Sequence, residues 1–426
     1  SFPLDPSGGR NHTERMRHGL AAVAMVVVMW DPFGARADDA SPAMFTLSGF
    51  GTLGLVHSSE QNADFVANAF QPSGAGFSHS WSADVDSRLG AQVTANFTTQ
   101  ISAMVQVIAE LREDNTYTPD VEWANVKYRF TPDFYVRVGR IALPSFLVSD
   151  YRNVGYANPW VRPPLEVYSL VPVDANDGMD ASYRLRAGEF TNTVQVTYGQ
   201  RDIRETSGSI DKARRVWGIS DTVERGALTV RGTYQHGNVT VASINPLFAA
   251  FRQFGPAGTS LADKYDSDAK PFDFVGVGAS YDAGGWFVMG EWGTTESHSA
   301  LGKRSAWYGS GGYRFGKLTP YLTYAEAKAD SNTFDPGLNA AAFPPELAGT
   351  IAGLNAGLNT ILRSIPVQKT LSIGGRWDFR KNAALKLQYE HIRLGAGSVG
   401  TLTNIQPGFQ PGGTLNVFSA AVDFVF

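Results

Sequence analysis

Residues 100–112 read QISAMVQVIAELR, and every odd position of this segment is apolar. The even positions are mainly polar and include Gln106, Glu110 and Arg112. A period of two is typical of a β-strand with one apolar face. The segment therefore predicts a strand that separates an apolar environment from water.

The same alternation recurs in sixteen segments. They are residues 45–57, 82–95, 100–112, 121–130, 134–143, 180–187, 190–201, 213–224, 227–241, 272–283, 286–297, 303–315, 318–329, 368–379, 384–394 and 414–426. Seven short turns rich in Gly, Asn, Asp or Pro alternate with eight longer connections. Short turns on one side and long loops on the other are typical of bacterial outer-membrane barrels. We therefore predict an all-β fold, a 16-stranded antiparallel transmembrane β-barrel.

The third long connection, residues 143–177, is unusually long for a segment without strand character. It reads LPSFLVSDYRNVGYANPWVRPPLEVYSLVPVDAND and contains five prolines and several aromatic residues. A connection of this length in a compact domain is usually functional. We interpret it as a loop that folds into the barrel and narrows the lumen.

Charged residues on this loop and on the nearby wall are the candidate site. On the loop side we select three acids, Asp150, Glu166 and Asp174. On the polar face of the neighbouring strands we select four cations, Arg88, Lys127, Arg137 and Arg184. Acids facing cations across a narrow bore would discriminate solutes by radius and electric field. The alternative for each loop acid is a hydrated charge at the barrel mouth.

Composition argues against several other functions. The formal net charge of -4 gives no electrostatic support for a nucleic-acid partner. The chain has no Cys, which excludes disulfides and thiolate chemistry, and its seven His are scattered without a catalytic or metal-binding motif. For a hydrolase at the lipid face, His391 is the single candidate, and a structural role is favoured for it. We predict no enzymatic activity, no metal and no cofactor.

The amino end reads as a targeting segment. Residues 16–37 combine a basic start, an apolar run from Leu20 to Trp30 and a small-x-small site, Ala35-Arg36-Ala37, as in a secretory signal peptide. The apolar run is shorter than the roughly 20 residues of a membrane-spanning helix. We expect residues 1–15 to be an upstream extension and residues 38–426 to form the barrel.

Three further features are predicted locally. Residues 345–363 place apolar side chains at helical spacing, so we expect an amphipathic helix in the seventh loop, with 245–254 as a second helical turn. Aromatic residues near the short turns predict an interfacial girdle on the periplasmic side. Gly49 and Gly51, on the outer face of the first strand, would permit close packing of a second subunit, or serve as bends.

Three segments carry a family resemblance: FTLSGFG at 45–51, VRVGR at 136–140 and VDFVF at 422–426. With these segments and its strand pattern, the chain resembles the Gram-negative outer-membrane porins of the 16-stranded, usually trimeric kind. The third loop lacks the acidic PEFxG-type signature of the best-known general porins.

The resemblance implies a passive diffusion channel for small hydrophilic solutes or ions in the lipid bilayer of the outer membrane. It also implies a homotrimer, and recognition of the C-terminal Phe426 by the outer-membrane insertion machinery. Two alternatives stay open. One is a substrate-selective porin, and the other is a non-channel barrel whose extracellular loops act as an adhesin or enzyme scaffold.

Overall fold

Sixteen long antiparallel strands form the wall in this computed structural model, which describes residues 44–426. They are β1 (Phe45–Ser58), β2 (Arg88–Asn96), β3 (Ile101–Glu110), β4 (Asp120–Thr131), β5 (Phe134–Ala142), β6 (Ala175–Ala187), β7 (Phe190–Arg204), β8 (Ile210–Arg225), β9 (Leu228–Thr240), β10 (Lys270–Asp282), β11 (Trp286–Ser297), β12 (Lys303–Tyr313), β13 (Leu318–Ala329), β14 (Gln368–Arg380), β15 (Ala383–Leu394) and β16 (Thr414–Val425). The first long loop adds three two-residue strands, Asp64–Phe65, Ala75–Gly76 and Trp81–Ser82. The predicted fold is confirmed. The expected extension at 1–15 and signal peptide at 16–37 lie outside the described residues.

The first strand closes the barrel because it pairs on both of its sides. Gly51 lies opposite Leu89 of β2 and opposite Phe424 of β16. From β2 to β16, each strand pairs with its neighbours in the sequence. Closure leaves no unpaired strand edge, and this matters because lipid offers an exposed edge no hydrogen bonds.

The two faces of the wall differ in chemistry as the alternation predicts. Apolar side chains of the outer parity stay exposed, and on β1 the exposed fractions of Leu47 and Leu53 are 68% and 66%. Polar side chains of the inner parity, such as Thr52 and Gln92, are buried. A soluble sandwich would bury its apolar face instead. The outer surface is therefore suited to hydrocarbon.

Tight reversals and aromatic rings share one end of the barrel. Asn382 reaches the left-handed region, with φ at 66°, in the turn between β14 and β15. Rings cluster beside these turns on the outer face: Phe130 and Phe134 lie 5.2 Å apart, and Tyr313 and Phe315 lie 4.6 Å apart. Phe130, Tyr313 and Phe315 are exposed, and Phe134 is half-buried. The rings lie where the girdle was expected, at the level where amphipathic side chains meet the membrane surface.

The two glycines of β1 are covered from within the same chain. A Cβ atom on Gly49 would lie 2.2 Å from Cζ of Phe426, and one on Gly51 would lie 2.4 Å from Cζ of Phe424. The terminal strand thus lays two rings over the glycines. Their small size accommodates these rings, so the space suggested for a second subunit is already filled.

Helices from the fifth and seventh loops pack together. They are α2 (Asn245–Phe251), α3 (Gly255–Tyr265) and α4 (Ala348–Arg363), while the one-turn α1 (Leu165–Tyr168) belongs to the third loop. Phe248, Ile351 and Leu358 are fully buried in their shared core. The expected helices are confirmed, and α3 is additional. No helix among residues 44–426 is long and apolar enough to cross a membrane.

Candidate functional site

The third loop covers residues 143–174, because Ala175, Asn176 and Asp177 already belong to β6. The short helix α1 and two 3-10 turns, Ser149–Tyr151 and Gly155–Ala157, are its regular structure. Its hydrogen bonds concentrate on inner-parity side chains of β9 to β16. The loop therefore lies against the polar face of one half of the wall.

Four cations of the wall donate hydrogen bonds to carbonyl groups of this loop. They are Arg231 to Phe146 (2.6 Å), Arg304 to Ser169 (2.9 Å), Arg376 to Tyr156 (2.6 Å) and Lys386 to both Gly155 and Trp160 (2.7 Å each). A loop without regular structure has backbone carbonyls that need donors when buried. Cations are suited to donate to these carbonyls because their hydrogen bonds are stronger than those of neutral donors.

Arg162 attaches the middle of the loop to the wall. Its guanidinium donates to Asp86 (2.6 Å), to Ser419 (2.6 Å) and to Glu390. The side chain of Arg162 is only 3% exposed, and Asp86 and Glu390 are also buried. A buried guanidinium is stable only when its charge and its donors are matched. The two carboxylates and the hydroxyl supply that match.

Lys386 and Asp423 form a second buried ion pair beneath the loop. Nζ of Lys386 lies 2.8 Å from Oδ2 of Asp423, and both side chains are 0% exposed. Thr52 donates to the other carboxylate oxygen at 2.6 Å. The remaining protons of the ammonium go to the loop carbonyls, so removal of the loop would open this pair to water.

Both the first and the last part of the loop are held through Glu291. This carboxylate accepts from the backbone N–H of Leu147 (2.7 Å) and from the hydroxyls of Tyr168 (2.6 Å) and Tyr308 (2.8 Å). Burial, and next the Glu291 charge, raise the pKa of Tyr168 well above its usual value. The phenol therefore stays protonated and acts as a donor. Nearby, Nε1 of Trp160 donates to Ser310 at 2.8 Å.

The three loop acids have different surroundings. Asp150 lies 3.6 Å from Arg231 and is close enough to interact with the charge of Arg137. Glu166 is buried and accepts from Nε2 of Gln368 (2.7 Å) and from the hydroxyl of Thr370. Of these two, Asp150 is the acid that faces a cation chosen on the wall.

Asp174 is paired within its own loop. Its carboxylate lies 3.3 Å from Nε of Arg152. Burial would raise the pKa of Asp174, but the charges of Arg152 and Arg201 outweigh burial and hold the pKa below its usual value. Asp174 therefore stays ionised and holds the two limbs of the loop together.

Two of the four wall cations, Lys127 and Arg137, are brought together. Lys127 lies opposite Arg137 in the register, and Arg137 lies opposite Asp180 on β6, with Nε of Arg137 3.0 Å from the carboxylate. Arg184 follows four residues later on β6, toward the short turns. Lys127 also lies 4.4 Å from the ring centroid of Tyr135.

Arg88 lies apart from this group, at the loop end of β2. Its guanidinium donates to Oδ1 of Asn153 at 3.0 Å and lies 3.7 Å from Glu110. It therefore contacts the tip of the third loop directly. The four cations do not form one ring, because they occupy different heights on the wall.

The candidate site chosen from the sequence misses most of the wall residues that bind the loop. These residues are Arg231, Glu291, Arg304, Arg376, Lys386, Glu390 and Asp423. The alternation of apolar and polar residues could have indicated all of them, because each occupies the polar parity of its strand. Contact with the loop depends on its path across the barrel, which alternation does not encode.

Comparison with known proteins decides the family. The sequence model of the Gram-negative porins matches residues 20–397. The chain belongs to the Gram-negative porin family. It is therefore an outer-membrane β-barrel, and this porin crosses the membrane with its strands. A search of curated protein sequences gives no significant match.

Solved structures share the fold of this porin at low sequence identity. An anion-selective porin from Comamonas acidovorans is 14% identical, with a TM-score of 0.54 over 90% of this chain and 99% of that one. OmpF of Salmonella typhi, in complex with daunomycin, is 13% identical, with a TM-score of 0.54 over 90% and 97%. The outer-membrane channel DcaP of Acinetobacter baumannii is 14% identical, with a TM-score of 0.52 over 92% and 100%. At these identities the likeness establishes the fold alone.

The residues considered for other chemistry have ordinary surroundings. His391 lies on the exposed face of β15, with Nδ1 2.8 Å from Oδ1 of Asn416. Across residues 44–426, no three His, Asp or Glu side chains are placed to hold a metal ion.

Proposed function

We propose that this porin is a passive diffusion channel for small hydrophilic solutes or ions, narrowed by the loop at 143–174. One observation carries the proposal: the two halves of the inner wall differ in exposure. On β15 and β16, beneath the loop, Lys386 and Asp423 are completely buried. On β4 and β6, Lys127 and Arg184 are only half-buried, although they occupy the same inner parity. A water-filled passage beside the loop accounts for this difference.

The constriction of this proposal has a loop side and a wall side. Asp150 is the loop acid that faces the passage, while Glu166 and Asp174 act by holding the loop in shape. Lys127, Arg137 and Arg184 form the wall side, and Arg88 positions the loop tip through Asn153. The pair Arg137–Asp180 is internally neutral, and Lys127 and Arg184 are the other two cations on this side.

Single-channel conductance of the purified porin in planar bilayers tests the proposal. We expect step-like currents from the folded barrel, whose fold is checked by circular dichroism. Absence of steps from folded protein would contradict the channel. Replacement of residues 148–171 by a short Gly-Ser linker should then give a larger conductance, because the loop no longer occupies the lumen.

This deletion also separates the channel from its alternatives. A barrel that serves as an adhesin or enzyme scaffold through its outer loops needs no open lumen, so its conductance would stay absent in both forms. A substrate-selective porin would conduct, but one class of solute would block the current at low concentration. Replacement of residues 246–264 in the fifth loop is a matched control, because those residues pack on α4 rather than on the wall.

Assembly extends the same proposal. Family membership supports a homotrimer and recognition of Phe426 by the outer-membrane insertion machinery. Mass measurement of the detergent-purified porin tests the first, and a Phe426→Ala variant tests the second. We expect this variant to accumulate less in the outer membrane, with its unfolded form in the periplasm.

A further inference from the structure

An apolar groove of about 700 Å³ runs along the outer face of the barrel on β13 to β16. Leu318, Ile373, Trp377, Leu387 and Phe418 are among the residues that line it. These side chains belong to the lipid-facing parity, so the groove opens toward the membrane and not toward the lumen.

A missing side chain creates the groove. Gly375 lies on the outer face between Pro320 of β13 and Leu387 of β15. No atom lies within 4 Å of the position that a Cβ on Gly375 would take. Ile373 and Trp377, two residues away on either side, are large and exposed. The outer surface of β14 therefore has a gap flanked by bulky side chains.

The length of the groove fits one acyl chain of a single leaflet. On β15 it extends from Leu385 to Tyr389, and four residues of a strand span about 14 Å. The hydrocarbon core of a bilayer is about 30 Å thick, so one leaflet contributes about half of that. The lower end of the groove, at Phe315 and Trp377, coincides with the aromatic rings beside the short turns.

Three cations lie at that lower end. Lys317 belongs to the turn after β12, Arg380 is the last residue of β14, and Lys381 belongs to the turn after it; all three are exposed. The two turns are adjacent, because the N–H of Asp378 donates to the carbonyl of Lys317 at 2.9 Å. The Asp378 carboxylate is already engaged by Arg376 at 2.8 Å.

The three cations have no acidic partner of their own. Within residues 44–426, Lys317, Arg380 and Lys381 form no ion pair and no side-chain hydrogen bond. Cations next to a membrane surface attract anionic lipid headgroups. A phosphate at this level would meet three positive charges, directly below an apolar groove of acyl-chain length.

We propose that the groove on β13 to β16 is a binding site for an anionic phospholipid of the periplasmic leaflet. One acyl chain occupies the gap over Gly375, and Lys317, Arg380 and Lys381 bind the phosphate. The charges favour this occupant over a second porin chain, since a purely apolar contact between subunits would make no use of three cations.

Native mass spectrometry of the porin in a non-ionic detergent tests the site. The probes are phosphatidylglycerol and phosphatidylcholine with identical acyl chains. We expect one phosphatidylglycerol to be retained per chain, with clearly weaker retention of phosphatidylcholine. The triple variant Lys317→Gln, Arg380→Gln, Lys381→Gln should lower the affinity for phosphatidylglycerol by roughly 10- to 100-fold and remove this preference.

Filling the groove tests the acyl-chain part separately. Gly375→Phe should abolish retention of both lipids, because the ring occupies the gap. Gly309→Phe is the matched control: Gly309 lies on the outer parity of β12, also with no atom within 4 Å of its Cβ position, but it does not line the groove. This control should bind lipid as the parent does.

Several results would overturn the proposal. Unchanged retention in Gly375→Phe would exclude the groove, and an unchanged lipid preference in the triple variant would exclude the cations. If Gly375→Phe changed the mass of the assembly and left lipid binding intact, the groove would be a subunit interface. Channel conductance should be the same in all three variants, and equal heat-resistance on gel electrophoresis confirms that each has folded.

Discussion

The two halves of the inner wall use the same residue types for different ends. On β15 and β16, Lys386, Glu390 and Asp423 are buried under the third loop, and their charges are matched by one another and by the loop. On β4 and β6, Lys127 and Arg184 have the same parity but remain half-buried, and in the proposed channel they face the passage. The difference lies in what covers each side chain, since the strand pattern is the same. A charge on the polar face of a barrel is therefore structural or functional according to the path of a single loop.

The largest effect should come from a buried charge left without its partner. Lys386→Met keeps the side-chain length but leaves Asp423 unpaired, and breaking a buried pair costs about 3–5 kcal/mol. We expect that loss in the free energy of unfolding, measured by chemical denaturation in detergent micelles. Lys127→Met on the other half should cost about 1 kcal/mol or less. Equal losses would refute the contrast between the two halves.

The second-largest loss of stability should come from a change of cation type on the covered half. Arg162→Lys keeps the charge but cannot bind Asp86, Glu390 and Ser419 together, because the planar fork is lost. We expect a loss of about 1.5–3 kcal/mol in unfolding free energy and faster proteolysis of the loop. Arg152→Lys is the control, since Arg152 pairs with Asp174 within the loop. The interpretation fails if this control loosens the loop as much.

On the open half, charge removal should alter ion selectivity rather than stability. The double variant Lys127→Gln, Arg184→Gln removes two positive charges from the passage. A unit charge 4 Å away is worth about 1 kcal/mol in water, so we expect the ratio of anion to cation permeability to fall by roughly fivefold for each charge. Reversal potentials in a salt gradient measure this. Lys328→Gln with Lys369→Gln, both 56% exposed on the outer face, should leave them unchanged.

The smallest effect separates two loop acids. Asp150→Asn should shift the reversal potential toward anions by roughly a twofold change in permeability ratio, because Arg231 already screens part of the charge. Glu166→Gln should leave the reversal potential where it is, since that carboxylate faces Gln368 and Thr370. A shift in Glu166→Gln of equal size would place both acids at the passage.

Local sequence patterns predict most of the fold. Alternation over residues 100–112 and its repeats predicts the strands, their faces and the closed barrel, because a membrane imposes the same rule on every strand. The signal for the helix α4 is equally local, because apolar residues recur at helical spacing in 348–363. By contrast, α3 begins with Gly255 and Pro256 and has a weak pattern. Its residues Ala262 and Tyr265 become buried through contact with other loops.

The candidate site was only partly predictable. The length and composition of 143–174 indicate a functional loop, and the strand pattern indicates which charges face inward. Which of these charges the loop covers depends on contacts between residues far apart, such as Arg162 and Glu390. Lys386 and Lys127 look alike in the sequence. Their surroundings differ because the loop covers Lys386 completely and leaves Lys127 half-buried.

The pairing of β1 with β16 has a consequence for biogenesis. Phe50 and Val425 are opposite each other in the register although almost the whole chain separates them. Ring closure of this kind has a high entropic cost and is slow, since it joins the earliest and latest strands to be synthesised. Until these strands meet, two unpaired strand edges can pair with other polypeptides. The architecture therefore requires that the unfolded chain be protected while it crosses the periplasm.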